Sequence, residues 1–260
     1  MEWGSIIMDL EICVDSVESA VAAANGGAER IELCSALSEG GITPSTGLIS
    51  AVRAAVSIGL FVIIRPRGGD FVYSDSELNV MRTDILDAKE LGVDGVVLGV
   101  LTTGNEVDRV RTLNLIELAR PLQVTFHRAF DLCEDMDRAL EDVIACGADR
   151  LLTSGGKADA IKGTSNIAHL QQKAGHRIRI MAGGGIRASN VRNLALRTGI
   201  REVHTSLSTR GKSTAYGGGA ENDLRQGGFS RFLLKESDVR AFKSALQAIP
   251  LETKAGVPVQ

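Results

Sequence analysis

Large rings are scarce in this chain: aromatic residues make up only 4% of it. No apolar run approaches the roughly 18 residues that a membrane-spanning helix needs. Neither sign of charge dominates, the formal net charge being -3. Such a chain carries no overall electrostatic pull toward nucleic acid or an anionic membrane surface. The four cysteines, Cys13, Cys34, Cys133 and Cys146, include no C-x-x-C pair, which weakens zinc-ribbon and thioredoxin-like readings. The first eight residues hold Glu2 and no basic stretch ahead of an apolar core, so a secretory leader is not expected there. A reducing cytoplasm with free thiols is the expected setting.

What the chain has in plenty is small residues in an alternating pattern. Its 29 glycines among 260 residues suit a fold with many tight strand-to-helix turns. Short β-rich runs at 9–14, 30–34, 60–65, 95–99, 123–127, 150–154, 177–182 and 202–206 alternate with helical stretches. These helices begin near Ser16, Thr46, Ser76, Val107, Asp135, Ser165, Ser189 and Asp238. Ser16 or Asp15, Ser74 or Asp75, and Ser189 are candidate N-caps. Gly26, Gly92, Gly147 and Gly199 stand where left-handed helix ends belong. The phrases Gly27-Ala28-Glu29-Arg30, Gly92-Val93-Asp94-Gly95, Gly147-Ala148-Asp149-Arg150 and Gly199-Ile200-Arg201-Glu202 recur before every second strand, a hint of half-barrel periodicity.

Eight consecutive βα units predict an α/β protein, a single-domain (β/α)8 barrel over 1–260. An open doubly wound sheet fits less well. Its dinucleotide-binding form needs G-x-G-x-x-G after the first strand, and here that strand ends Cys13-Val14-Asp15 without glycine. One polar, glycine-rich stretch, 208–228, breaks the rhythm and is expected to be a long loop after the eighth strand.

Strand side chains alternate faces. With Leu10, Ile12 and Val14 packed under helices, Glu11 and Cys13 turn into the barrel, and by the same parity so do Glu32 and Cys34. Glu11 is then expected beside Glu32, with the two thiols close above them and Arg65 as the partner of the acids. The parity of later strands adds His127, Ser154, Met181 and His204, with Arg65, Arg67, Arg128 and Asp131 near the strand ends. A barrel interior filled for stability alone uses layers of Val, Ile and Leu. So many polar groups point instead to a working site at the C-terminal ends of the strands.

At these residues the sequence resembles the CutC family of copper homeostasis proteins. The resemblance rests on Leu10-Glu11-Ile12-Cys13-Val14-Asp15-Ser16, Arg30-Ile31-Glu32-Leu33-Cys34-Ser35 and Leu37-Ser38-Glu39-Gly40-Gly41. It continues through Ile64-Arg65-Pro66-Arg67-Gly68-Gly69-Asp70-Phe71, Thr125-Phe126-His127-Arg128-Ala129-Phe130-Asp131, Leu152-Thr153-Ser154-Gly155 and Met181-Ala182-Gly183-Gly184-Gly185-Ile186. It implies a (β/α)8 barrel, a cytoplasmic location, a homo-oligomer (dimer or tetramer) and copper handling through Cu(I). The strand-end thiols proposed to bind copper in the family match Cys13 and Cys34. The eighth strand, Val203-His204-Thr205-Ser206, departs from versions with a further cysteine nearby.

Three readings of the mouth stay open. Cu(I) is soft and prefers thiolate or thioether donors, so Cys13 and Cys34, with Met181 or His204 as a third ligand, form a candidate copper site. Equally, both cysteines serve as small buried hydrophobes in many folds. Alternatively the chain is an enzyme acting on a small phosphorylated or carboxylated molecule. Glu11, Glu32 and His127 would then move protons, and Arg65, Arg67, Arg128, Asp131, Ser154, His204 and the Gly183, Gly184 and Gly185 turn would bind the anion. The third is an oligomeric scaffold with a vestigial site.

Overall fold

The computed structural model of the protein describes residues 8–207, 209–211 and 231–247. Eight parallel strands close into a barrel in sequential order. They are β1 (Asp9–Val14), β2 (Arg30–Leu33), β3 (Gly59–Ile63), β4 (Gly95–Leu98), β5 (Gln123–Phe126), β6 (Arg150–Thr153), β7 (Arg179–Gly183) and β8 (Glu202–Thr205). Eight helices flank them: α1 (Val17–Asn25), α2 (Thr46–Ala55), α3 (Asp75–Glu90), α4 (Arg109–Ala119), α5 (Met136–Ala145), α6 (Thr164–Ala174), α7 (Val191–Thr198) and α8 (Glu236–Gln247). Most of the long loop expected over 208–228 lies outside the described residues. Its start forms β9 (Thr209–Gly211), which pairs antiparallel with β10 (Arg231–Leu233).

The outward strand residues build the main core. Leu10, Ile12, Ile31, Leu33, Leu60, Val62, Val96, Leu98, Val124, Phe126 and Val203 all join one cluster with the helix faces. Fully burying each such side chain is worth about 1.5–3 kcal/mol relative to leaving it in water. Ser16 and Ser74 cap their helices as expected, Ser74 within a capping box with Glu77. At α7 the cap position is Asn190 rather than Ser189, and it makes no side-chain cap bond.

Gly92, Gly147 and Gly199 adopt the positive φ expected of helix ends, but Gly26 does not: its φ is -75°, and the left-handed residue is Gly27 at 93°. The demand at Gly26 is for space. A Cβ there would stand 2.4 Å from Cβ of Val239 on α8.

The recurring turn has a physical basis. Glu29 accepts a hydrogen bond from the Leu10 amide at 2.9 Å, Asp94 from the Leu60 amide at 2.8 Å, and Asp149 from the Val124 amide at 2.7 Å. Each carboxylate thereby holds the first residues of the preceding odd strand. Each also meets a cation, Lys243, Arg53 and Arg120 respectively. Counting around the ring, that cation comes from the helix before the clamped strand or, for Arg120, from its C-cap. The fourth turn carries Arg201 at the equivalent position and lacks the clamp.

Candidate functional site

The barrel interior is charged at mid-height. Arg30 pairs with Glu11 and reaches Glu202 at 3.0 Å, and Arg150 pairs with Glu202. All four are buried. The two guanidiniums lie on Phe61, 5.0 and 5.4 Å from its ring centroid. Removing such ions from water costs several kcal/mol each unless they are mutually paired; here two buried cations face two buried anions, and the exposed Arg179 also reaches Glu202 at 3.5 Å. The expected partner of Glu11, Arg65, is not in this network. Arg30 takes its place because the barrel stagger sets Glu11 opposite Arg30 and Cys13 opposite Glu32. Arg30 and Glu202 were legible in principle, each being two residues before an inward side chain on its own strand.

This network positions what lies above it. Burial opposes a charge on Glu11, but Arg30 and His204 outweigh it and lower its pKa to about 2. Its free oxygen receives His204 Nδ1 at 2.7 Å, which aims Nε2 at Glu32, 3.6 Å away. Burial resists protonation of His204, yet Glu11 and Glu32 raise its pKa above the ordinary histidine value. Glu32 itself is raised, mainly by burial and further by Glu11, against the pull of His204.

The two thiols share this end of the barrel. Cys13 and Cys34 have their Sγ atoms 3.6 Å apart, and the Cys34 thiol also donates toward the Val14 carbonyl at 3.5 Å. Ligand atoms of Cys13, Glu32 and His204 lie within 4.8 Å of one another. The hydrogen bond with Cys34, burial and the nearby Glu32 carboxylate push the Cys13 thiol well above its usual pKa. Cys133 and Cys146 are free and buried, away from the mouth at the ends of the 3-10 turn Arg128–Leu132 and of α5.

A cavity of about 350 Å³ opens over these groups. Cys13, Glu32 and His204 line one side; Arg65, His127, Arg128, Gly184, Gly185 and Arg187 also line it. Arg65 is buried and donates to the carbonyls of Glu39, Gly41 and Gly69, each at 2.8 Å. His127 Nδ1 accepts the Ala129 amide at 3.3 Å. Burial and the Arg65 charge drive its pKa down to about 3, so the ring is neutral.

Asp131 is a loop clamp. It takes Arg128 Nε at 2.8 Å, the Ser154 hydroxyl at 2.8 Å and the Ser154 and Gly156 amides at 3.0 Å. Ser154 in turn accepts Arg128 Nη2 at 2.8 Å. Arg67 is absent from the cavity lining: Glu77 and Asp70 hold it at the surface. Gly183 ends β7, where a Cβ would stand 2.6 Å from Leu152, and Met181 Sδ accepts from Arg30 at 3.3 Å, below the thiols. Arg187 and Phe71, both lining the cavity, come from loops whose sequence carries no periodicity to announce them.

The chain matches the sequence model of the CutC family over residues 8–209. It is 50% identical over 202 residues to a Homo sapiens protein named copper homeostasis protein cutC homolog, covering 77% of this chain and 74% of that protein. A Chromobacterium violaceum protein carrying the CutC family name is 50% identical over 197 residues, 76% of this chain and 80% of its own length. Among solved structures, a Streptococcus agalactiae chain bearing the copper homeostasis protein CutC name superposes with a TM-score of 0.74 at 35% identity, over 76% of this chain and 98% of that one. A thiamine phosphate pyrophosphorylase from Pyrococcus furiosus, at TM-score 0.57 and 15% identity over 94% of this chain and 98% of that one, shares the barrel fold.

Proposed function

Because the chain belongs to the CutC family, we propose that it serves copper homeostasis by taking Cu(I) as cargo on the paired thiols of Cys13 and Cys34. The observation that carries this reading is the 3.6 Å separation of the two sulfurs, Cys13 lining the open cavity and Cys34 lying buried behind it. Donors sharing one ion across metal–sulfur bonds of about 2.3 Å stand roughly 4 Å apart. Ion binding would need the pair to open by a few tenths of an ångström from 3.6 Å. Thiolates suit soft Cu(I), and His204 and Glu32 stand close enough to complete the set. Met181, engaged by Arg30, is the less suitable third donor.

The thiols must lose their protons to bind. With Cys13 pushed upward, uptake releases protons and affinity rises with pH. We place this role in a reducing cytoplasm, a setting supported by four free cysteines. No described helix is long and apolar enough to cross a membrane. A dimer or tetramer belongs to the same reading, and the exposed Val110 and Leu113 of α4 offer apolar surface for a second copy.

Anaerobic titration with Cu(I) against a competing chelator tests the proposal. The wild type should bind one ion per chain, and the Cys13→Ser, Cys34→Ser double variant should lose it. Equal binding by the double variant would remove the thiols as ligands. A parallel titration with Zn²⁺ tests selectivity, because Cys, His and carboxylate donors also suit zinc. Preference for Zn²⁺ over Cu(I) would overturn the copper assignment.

A further inference from the structure

Arg65 is a buried cation without a carboxylate. Its side chain is held by three backbone carbonyls and lies on Phe71, 4.9 Å from the ring centroid. Among the described residues no acid lies within ion-pair distance of it. The other buried arginines are matched, Arg30 by Glu11 and Glu202 and Arg150 by Glu202, and the half-exposed Arg128 is matched by Asp131. A buried charge left uncompensated is costly, and an anion beside it would offset that cost.

His127 supplies a second, independent sign. Its Nδ1 is the acceptor for the Ala129 amide, so the neutral ring carries its proton on Nε2. That Nε2 is buried and has no hydrogen-bond partner, in a residue only 5% exposed. Orphan buried donors are rare because each forfeits a hydrogen bond available in water. His127 lines the same cavity as Arg65.

The remaining wall has the same polarity. Arg128 is fixed through Nε and Nη2 by Asp131 and Ser154. Its Nη1 lies over Gly184, 3.3 Å from where a Cβ would be. Arg187 lines the cavity beside Gly185, and among the described residues it too has no acid partner. Gly184, with φ of 96°, leaves the space beneath Arg128 unfilled, whereas the Cβ side of Gly185 is closed by Asp159, 2.9 Å away.

We infer that this wall of the cavity, Arg65, His127, Arg128 and Arg187, is a binding site for the oxyanion group of a small organic molecule, a carboxylate or a phosphate. The oxyanion group would be held without the thiols, although Cys13 lines the same cavity. The cavity volume, about 350 Å³, suits a small metabolite rather than a macromolecule. The molecule's far end would reach toward Cys13, Glu32 and His204. His127 donates to an oxygen through Nε2 and stays neutral, while the arginines supply the charge.

The test uses the full chain free of metal, with inorganic phosphate and malonate as separate probes. Binding is followed by calorimetry and by the nitrogen resonances of the His127 ring. Saturable binding of either probe with a shift of the His127 Nε2 signal is expected. Binding of phosphate alone or of malonate alone still supports the site and identifies the head group. Arg187→Gln, at an exposed position, and Arg128→Gln should each weaken binding about tenfold or more, as loss of a charge-assisted hydrogen bond does. The Cys13→Ser, Cys34→Ser variant should bind the probes as the wild type does, which separates this site from the copper reading. Absence of binding to both probes, or equal affinity in both arginine variants, would overturn the inference.

Discussion

Glu11 accepts a hydrogen bond from His204 Nδ1 at 2.7 Å across the seam where the last strand meets the first. The same carboxylate is pinned from below by Arg30. One acid therefore links the mid-barrel charge network to the mouth: Arg30 fixes Glu11, Glu11 fixes the His204 ring, and the ring faces Glu32 beside Cys13. With both oxygens engaged and no exposed surface, Glu11 acts here as a positioning residue.

Neutralising that acid tests the linkage. Glu11→Gln keeps the shape but leaves Arg30 with half its compensation. The expected loss is about 3–5 kcal/mol of stability, read from urea denaturation midpoints at neutral pH. The His204 pKa, held up in part by Glu11, should fall in an NMR titration. An unchanged midpoint together with an unchanged His204 titration would mean that the network carries no load.

His127 should make the protein acid-sensitive. Its folded pKa lies near 3 against about 6.5 in the unfolded chain. Between those values the unfolded state holds a proton that the folded state does not. Stability from this group is therefore complete above about pH 6.5 and declines as pH falls toward 3. The slope approaches 1.4 kcal/mol per pH unit for one proton. His127→Asn retains an acceptor for the Ala129 amide and should flatten the stability profile between pH 6 and 4 by about one proton. Parallel profiles would show that His127 protonates in the fold.

The three turn clamps should be equivalent to one another and distinct from the fourth turn. Glu29→Ala, Asp94→Ala and Asp149→Ala each strip a strand amide and a cation of their acceptor. Each should cost about 1–3 kcal/mol. Arg201→Ala, at the matching position without a clamp, should stay within about 0.5 kcal/mol. Thermal denaturation of the four variants is sufficient, and a large loss at Arg201 would break the proposed periodicity.

Gly26→Ala isolates close packing from backbone conformation, because φ at this residue is -75° and any amino acid tolerates that value. The new methyl would meet Val239 at 2.4 and 2.6 Å. Separation of α1 from α8 should cost about 1–3 kcal/mol, measured by chemical denaturation. A neutral effect would indicate that α8 shifts freely on α1.

The division between sequence and fold follows from the range of the forces involved. Strand parity is local: alternation in Leu10-Glu11-Ile12-Cys13 or Arg30-Ile31-Glu32-Leu33 is enough to assign an inner and an outer face. The eight βα units and the inward aim of Cys13, Cys34, Glu32, His127 and His204 were legible for that reason. Pairing across strands is not local. The stagger of a closed barrel depends on all its strands at once, and it set Glu11 against Arg30 where a level alignment suggested Glu32 and Arg65. Arg187 and Phe71 reach the mouth from irregular loops, and Arg67, two residues beyond the lining Arg65, is drawn away by Glu77. Which charges neutralise one another, and so which cation and which imidazole N–H are left facing the cavity, was decided only when the ring closed.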